Sequence, residues 1–197
     1  SGNMVEAKKR TRVLLGIEKD PFDTFDFLYE IHQKYGIRPL YFILFAAYGQ
    51  NDKNTPTGNL SFSRLLKSLA DHAAIGIHPS YASNGSLTIL KSEIDGLSAV
   101  LRREITASRQ HFLKISFPET YLNLINLDIT DDYSLGFAGK PGFRAGICSP
   151  FKWYNLEAET ETSLTIHPVA LMEGTLRDYM NVGPEQAMEF IRPLVDE

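Results

Sequence analysis

Residues Ala74 to Ser80 read "AIGIHPS", a short apolar run that ends in a histidine, a proline and a serine. A run of this length, rich in isoleucine and bounded by polar residues, has the form of a strand buried on both faces. Strands of that kind belong to parallel sheets, where reactive groups gather at the C-terminal strand ends. His78 therefore stands where an α/β protein places chemistry. A ring held between a strand and Pro79 can equally be a structural group bonded to backbone.

Working outward, the same grammar repeats. "RPLYFILFAA" (residues 38–47) is another continuous apolar run, preceded by the helical pattern "DPFDTFDFLYEIHQKYG", in which Phe25, Leu28, Tyr29 and Ile31 form one face. Asp23 or Thr24 is placed to cap that helix, and Gly36 to close it. The polar loop "YGQNDKNTPTGN" leads into a helix from Leu60 to Ala73, then the strand at 74–78. A further helix spans Ile89 to Ile105. The strand "SRQHFLKI" follows, then a helix opened by Pro118, then three strand-like segments, "DYSLGFA", "GFRAGIC" and "SLTIHPVALM". A helix that Pro184 starts closes the chain. Residues 4–15 read as a first helix, although "VLLGI" also has the composition of a strand.

About six strands separated by helices imply a mostly parallel sheet, either a (β/α) barrel or a doubly wound sheet. At 197 residues the chain is of one-domain size. The expected organisation is an N-terminal tail and helix over residues 1–12 and one α/β domain over 13–197.

Composition narrows the function. A net charge of −4 supplies no cationic footprint, which argues against a nucleic-acid partner. No apolar stretch approaches the roughly 18 residues of a membrane span. The single cysteine, Cys148, excludes an internal disulfide framework and a cysteine-rich zinc site, and points to a reducing, cytoplasmic setting. It reads as a small buried apolar group.

Beside His78, the candidate groups are Arg109 and His111, two apart on one strand and so facing the same way, and Arg144 in "GFRAG". His167 in "TIHP" is a fourth. Trp153 in "PFKWY" has a face suited to a sugar ring, or to packing. Asp20, Asp23 and Asp26 read as helix-capping groups in preference to a metal cluster, and His32 and His72 as solvated helix positions.

These segments also resemble a known family. "AIGIHPSYAS" is similar to the second motif of the polysaccharide deacetylases (carbohydrate esterase family four, the NodB-homology domain), and the segment beginning "SRQHFLKISFPETY" to the third. "DPFDTFDFL", "GFRAG" and "IHPVALMEGTL" have counterparts, in the same order, in a bacterial deacetylase-like subgroup. The resemblance implies a (β/α) barrel and removal of N-acetyl groups from a glycan or glycan precursor. In that family a divalent metal, usually zinc, is held by an aspartate and two histidines; it polarises the acetamide carbonyl and activates water. The resemblance carries His78 over as a metal ligand and Arg109 as the group that orients the catalytic base. For a carbohydrate substrate, Tyr81, Arg144 and Trp153 are the candidate contacts.

Two departures shape the expectation. Ala82 stands where the family places its second histidine ligand, and His111 is proposed as the replacement. The family's Asp-x-Asp and Leu-x-His motifs, which supply base and acid, fall outside the matched region. The expectation is thus an incomplete barrel lacking its first and last strands, with sheet edges covered by the N-terminal helix or by another copy of the chain. The alternative is a barrel that binds carbohydrate without turning it over.

Overall fold

The computed structural model describes residues 2–196, with side chains from residue 4 onward. The chain forms two compact units, one ending at Pro39 and one beginning at Leu40.

The first unit holds α1 (Gly2–Leu14) and α2 (Phe25–Tyr35). "VLLGI" contributes its first two residues to α1 and forms no strand. Gly36 takes the left-handed conformation at φ 62° that ends α2, a geometry nearly free of steric cost only for glycine. The expected side-chain cap from Asp23 or Thr24 is not made. Asp20 instead accepts from the Phe22 amide at 3.1 Å and pairs with Arg10 at 2.7 Å. That partner holds its carboxyl below the usual range, and Asp20 acts as a turn residue.

The second unit is a six-stranded sheet in the order β1-β2-β3-β4-β6-β5. Its strands are β1 (Leu40–Ile43), β2 (Ala74–Ile77), β3 (Ala107–Ser108), β4 (Asp131–Asp132), β5 (Phe151–Asn155) and β6 (Thr160–Ile166). All neighbours are parallel except β5, which runs antiparallel to β6 at one edge. The sheet is open: β1 and β5 are its two edges, and it does not close into the expected barrel.

The helices α3 (Leu60–His72), α4 (Leu87–Leu101) and α5 (Glu119–Ile125) supply the core against one face. Leu66, Leu97 and Leu124 meet Ile77, Leu164 and Ile166, all but inaccessible to water. Burying each such side chain contributes about 1.5–3 kcal/mol. Asn59 and Ser86 cap α3 and α4 with their side-chain oxygens. A last helix, α6 (Pro184–Asp196), starts at its proline as expected.

The number of strands matches the sequence reading, but their identity does not. "GFRAGIC" is a turn, because Gly142 and Gly146 adopt φ 119° and 73°, which no extended strand accommodates. Its place is taken by "FKWYN", the first arm of the β5–β6 hairpin. "SRQHFLKI" and "DYSLGFA" yield only two strand residues each from their neighbourhoods. Ser108, Asp132 and Ser134 spend their side chains on one another, and the chain leaves the sheet just beyond them.

Candidate functional site

Ile77, Ser108, Asp132 and Ile166 are register partners across β2, β3, β4 and β6, and all four face the helices. The residue after each continues the ladder by one bond. His78 donates its amide to Ile43, Arg109 to Ile77, Tyr133 to Ser108 and His167 to Asp132, at 2.8–3.0 Å. Because side chains alternate along a strand, these four form one row on the opposite face, at the C-terminal rim. Three of the sequence candidates, His78, Arg109 and His167, lie on it. Tyr133 was not foreseen.

Below His78 the sheet has no room for a side chain. A β-carbon on Gly76 would lie 2.7 Å from the Phe42 ring and 2.8 Å from the Ala107 carbonyl. Phe42 in turn packs on Tyr133 at 5.3 Å, so the row rests on a tight floor.

His78 is bonded through Nδ1 to the Arg109 carbonyl. A carbonyl only accepts, so Nδ1 carries the hydrogen and Nε2 keeps its lone pair. Burial draws the His78 pKa down to about 4, against the pull of the carbonyl bond, and the charges of His111 and Arg109 add to the fall. The ring is neutral at neutral pH.

His111 does not reach the site along a strand, as expected, but through a short 3-10 turn (His111–Leu113). Phe112 and Leu113 there adopt φ of 57° and 50°, a left-handed geometry costing roughly 1–2 kcal/mol per residue. The turn sets the His111 ring 4.9 Å from His78. His111 Nδ1 lies 2.8 Å from Oδ1 of Asp52, a buried carboxylate in the loop after β1. The same oxygen accepts the Tyr81 amide at 2.9 Å. Asp52 was missed by sequence reasoning; its signal was only a carboxylate in a polar loop following an apolar strand.

The turn after His78 is pinned from behind. Glu93 of α4 accepts the Ser80 amide at 2.9 Å, and Ser80 and Ser83 bond each other. Burial pushes the Glu93 carboxyl up. In front, Phe112 stacks on His111 at 4.4 Å, Tyr81 meets Phe112 edge-on at 5.8 Å, and Lys114 lies 4.0 Å above the Tyr81 ring. Tyr81, a predicted contact, thus borders the imidazole pair.

Arg109 is half-buried, and its guanidinium makes no ion pair among the described residues. Burial lowers its pKa, with the Asp132 charge opposing. Asp132, on the other face, is wholly enclosed. It accepts from Ser108 Oγ at 2.6 Å, Ser134 Oγ at 2.8 Å and the Ser134 amide at 3.0 Å. Desolvation nonetheless raises its pKa.

At the far end of the row His167 Nε2 lies 2.7 Å from Asp131 Oδ1, and its ring stacks on Tyr133 at 4.2 Å and 6°. Burial works to raise the Asp131 pKa. Hydrogen bonds from Thr130 and His167 outweigh it and hold the carboxyl below its usual range.

The remaining candidates stand apart from this row. Arg144 is exposed on the 141–147 turn, and Trp153 of β5 packs edge-on against Tyr121 on the helix side. Cys148 is exposed, contrary to its expected burial, because it follows the glycine turn and lies on no strand. His72 is exposed and His32 half-buried.

Among the described residues no group of three or more His, Cys, Asp or Glu is arranged to hold a metal ion. His78 and His111 fit one in part. Each ring is tied at Nδ1 to an oxygen, the outer support metal-ligating histidines ordinarily have, and each has Nε2 left over. No helix among the described residues is long and apolar enough to cross a membrane.

No family model and no curated protein matches the chain. Among solved structures it is similar to one titled "putative polysaccharide deacetylase from Mycobacterium smegmatis", with a TM-score of 0.53 at 15% identity. The likeness covers 86% of this chain and 57% of that one, so the chain spans little more than half the neighbour's length. At that identity it shows a deacetylase-like α/β fold.

Proposed function

We propose that this chain contributes the strand-end site of a metal-dependent carbohydrate deacetylase. The observation that carries the reading is the His78–His111 pair, two imidazoles in contact with both Nδ1 atoms engaged and both Nε2 atoms uncommitted. The deacetylase-like fold is consistent with it.

His78 and His111 would hold a divalent ion, zinc by the chemistry of a nitrogen donor set. Such an ion polarises an amide carbonyl and lowers the pKa of water. The chain's own residues do the rest. Asp52 fixes the His111 ring and, through the Tyr81 amide, the turn that follows His78. Tyr81 and Phe112 offer aromatic faces to a sugar beside the pair. Arg109, next in the row, presents an unpaired guanidinium to a substrate oxygen or to a catalytic carboxylate. Arg144 is a more distant carbohydrate contact in this reading, whereas Trp153, packed on the helix side of the sheet, cannot reach a sugar at the imidazole pair.

A second reading, a carbohydrate-binding module without turnover, is favoured by one observation: no third ligand joins the two histidines among the described residues. Zinc titration by calorimetry separates the two. The enzymatic reading expects one ion per chain, lost in both His78→Ala and His111→Ala. A chain that binds oligosaccharide but no zinc is the binding module.

A further inference from the structure

A second aromatic site lies on the opposite side of the sheet from the imidazole row. Tyr121 of α5 is buried and touches two rings edge-on, Phe117 at 5.2 Å and Trp153 at 5.4 Å. Both rings line a cavity of about 330 Å³ together with Pro118, Tyr154, Asn155, Leu156 and Glu157. That is the low end of the size range for small-ligand pockets. The walls are held firmly: Trp153 packs on the core, and its carbonyl accepts from Thr162 Oγ at 2.8 Å beside a break in the β5–β6 register.

The site leaves apolar surface in water. Phe117 is 52% exposed, Tyr154 49% and Leu156 83%, clustered at one edge of the sheet. A contiguous patch of this kind marks a contact surface, whereas single exposed rings do not. The polar rim identifies what it contacts. Asn155 uses Oδ1 to accept the amides of Glu157 and Ala158, which fixes its carboxamide and turns the Nδ2 donor outward from that turn. Glu157 has no ion-pair partner among the described residues. Aromatic faces with a fixed donor and an acceptor carboxylate at the edge match a pyranose, whose ring faces are C–H and whose edge hydroxyls both donate and accept. The carboxylate disfavours an anionic sugar.

We infer that Phe117, Trp153, Tyr154, Asn155 and Glu157 form an accessory binding site for a neutral glycan residue, separate from the imidazole row. It shares the carbohydrate class with the proposed function but none of its metal chemistry. A chain that binds glycan here and no zinc at the row would keep this inference and lose that reading.

Trp153 is the only tryptophan in the chain, so its emission reports the cavity directly. The experiment titrates the full chain with N-acetylglucosamine tetramer and, separately, with cellotetraose. The expected result is a saturable shift in emission with at least one of them, half-complete at about 1 mM or below. Phe117→Ala weakens it roughly tenfold, with its far-ultraviolet circular dichroism unchanged. Tyr154→Ala weakens it likewise, while His78→Ala leaves it as it was. An emission indifferent to both sugars overturns the inference. So does one that changes only with protein concentration, since a second copy would then be covering the β5 edge.

Discussion

Oδ1 of Asp52 receives both the His111 ring at 2.8 Å and the Tyr81 amide at 2.9 Å, so one buried carboxylate oxygen sets the imidazole pair and the turn behind it. The expected consequence is a strong effect of Asp52→Ala on metal binding. Removing the shared oxygen frees the His111 ring to turn and leaves the Tyr81 amide without its acceptor, so both the ring and the turn after His78 lose their support. Zinc affinity by calorimetry should fall about 10–100-fold, the usual effect of losing such a support. Unchanged affinity would mean that His111 is not a ligand.

His78 predicts an acid-sensitive stability. In the unfolded chain its pKa is that of an ordinary imidazole, 6.5, and in the fold it is about 4. Between those values the unfolded state holds a proton that the folded state refuses. Stability is therefore full above pH 6.5, falls as pH drops towards 4, and flattens below it. The loss is on the order of 3 kcal/mol. Urea denaturation of the wild type and His78→Gln at pH 7, 5.5 and 4 should show a gap between them that narrows with acid. Parallel curves would show that the buried ring titrates normally.

Asp132 predicts the cost of stripping a donor from an enclosed carboxylate. Ser108→Ala removes the 2.6 Å bond, and no water-accessible route replaces it, because both residues are fully buried. A loss of about 1–3 kcal/mol in urea is expected. Ser108→Thr keeps the hydroxyl and, if its methyl is accommodated, should lose less. Equal losses in the two would assign the effect to packing.

How much of this was legible follows from where local pattern and tertiary geometry agree. The end of β2 at His78 could be read because an apolar run, a histidine and a proline coincide, and α3, α4 and α6 because their apolar spacing and caps are local. Asp52 could not be read, since 26 positions separate it from His78 and nothing in the loop marks it. The structure brings His111 beside His78, but not along the strand that was expected to do so. Its segment looks like a strand, and only the left-handed turn at Phe112 and Leu113 swings the ring to His78. The β5 strand is an alternation, Phe151 and Trp153 inward with Lys152 and Tyr154 outward, but so short an aromatic run suits a sugar face as well as packing and does not by itself mark a strand. Barrel closure depends on which edges meet, and strand and helix periodicity carry no information about that.

Gly76 tests whether the tight floor under the imidazole row matters. Its amide and carbonyl sit in β2 between β1 and β3, and a β-carbon there would meet the Phe42 ring at 2.7 Å and the Ala107 carbonyl at 2.8 Å. The ring can turn aside, but the carbonyl belongs to the neighbouring strand and cannot. Gly76→Ala should therefore cost about 1–3 kcal/mol, the range for overpacking a filled site. Adding Phe42→Leu should recover only part of that, because the backbone contact remains. If the double variant returned to the stability of Phe42→Leu alone, the aromatic ring would be the whole obstacle. The β2–β3 spacing would then not be what excludes a side chain beneath His78.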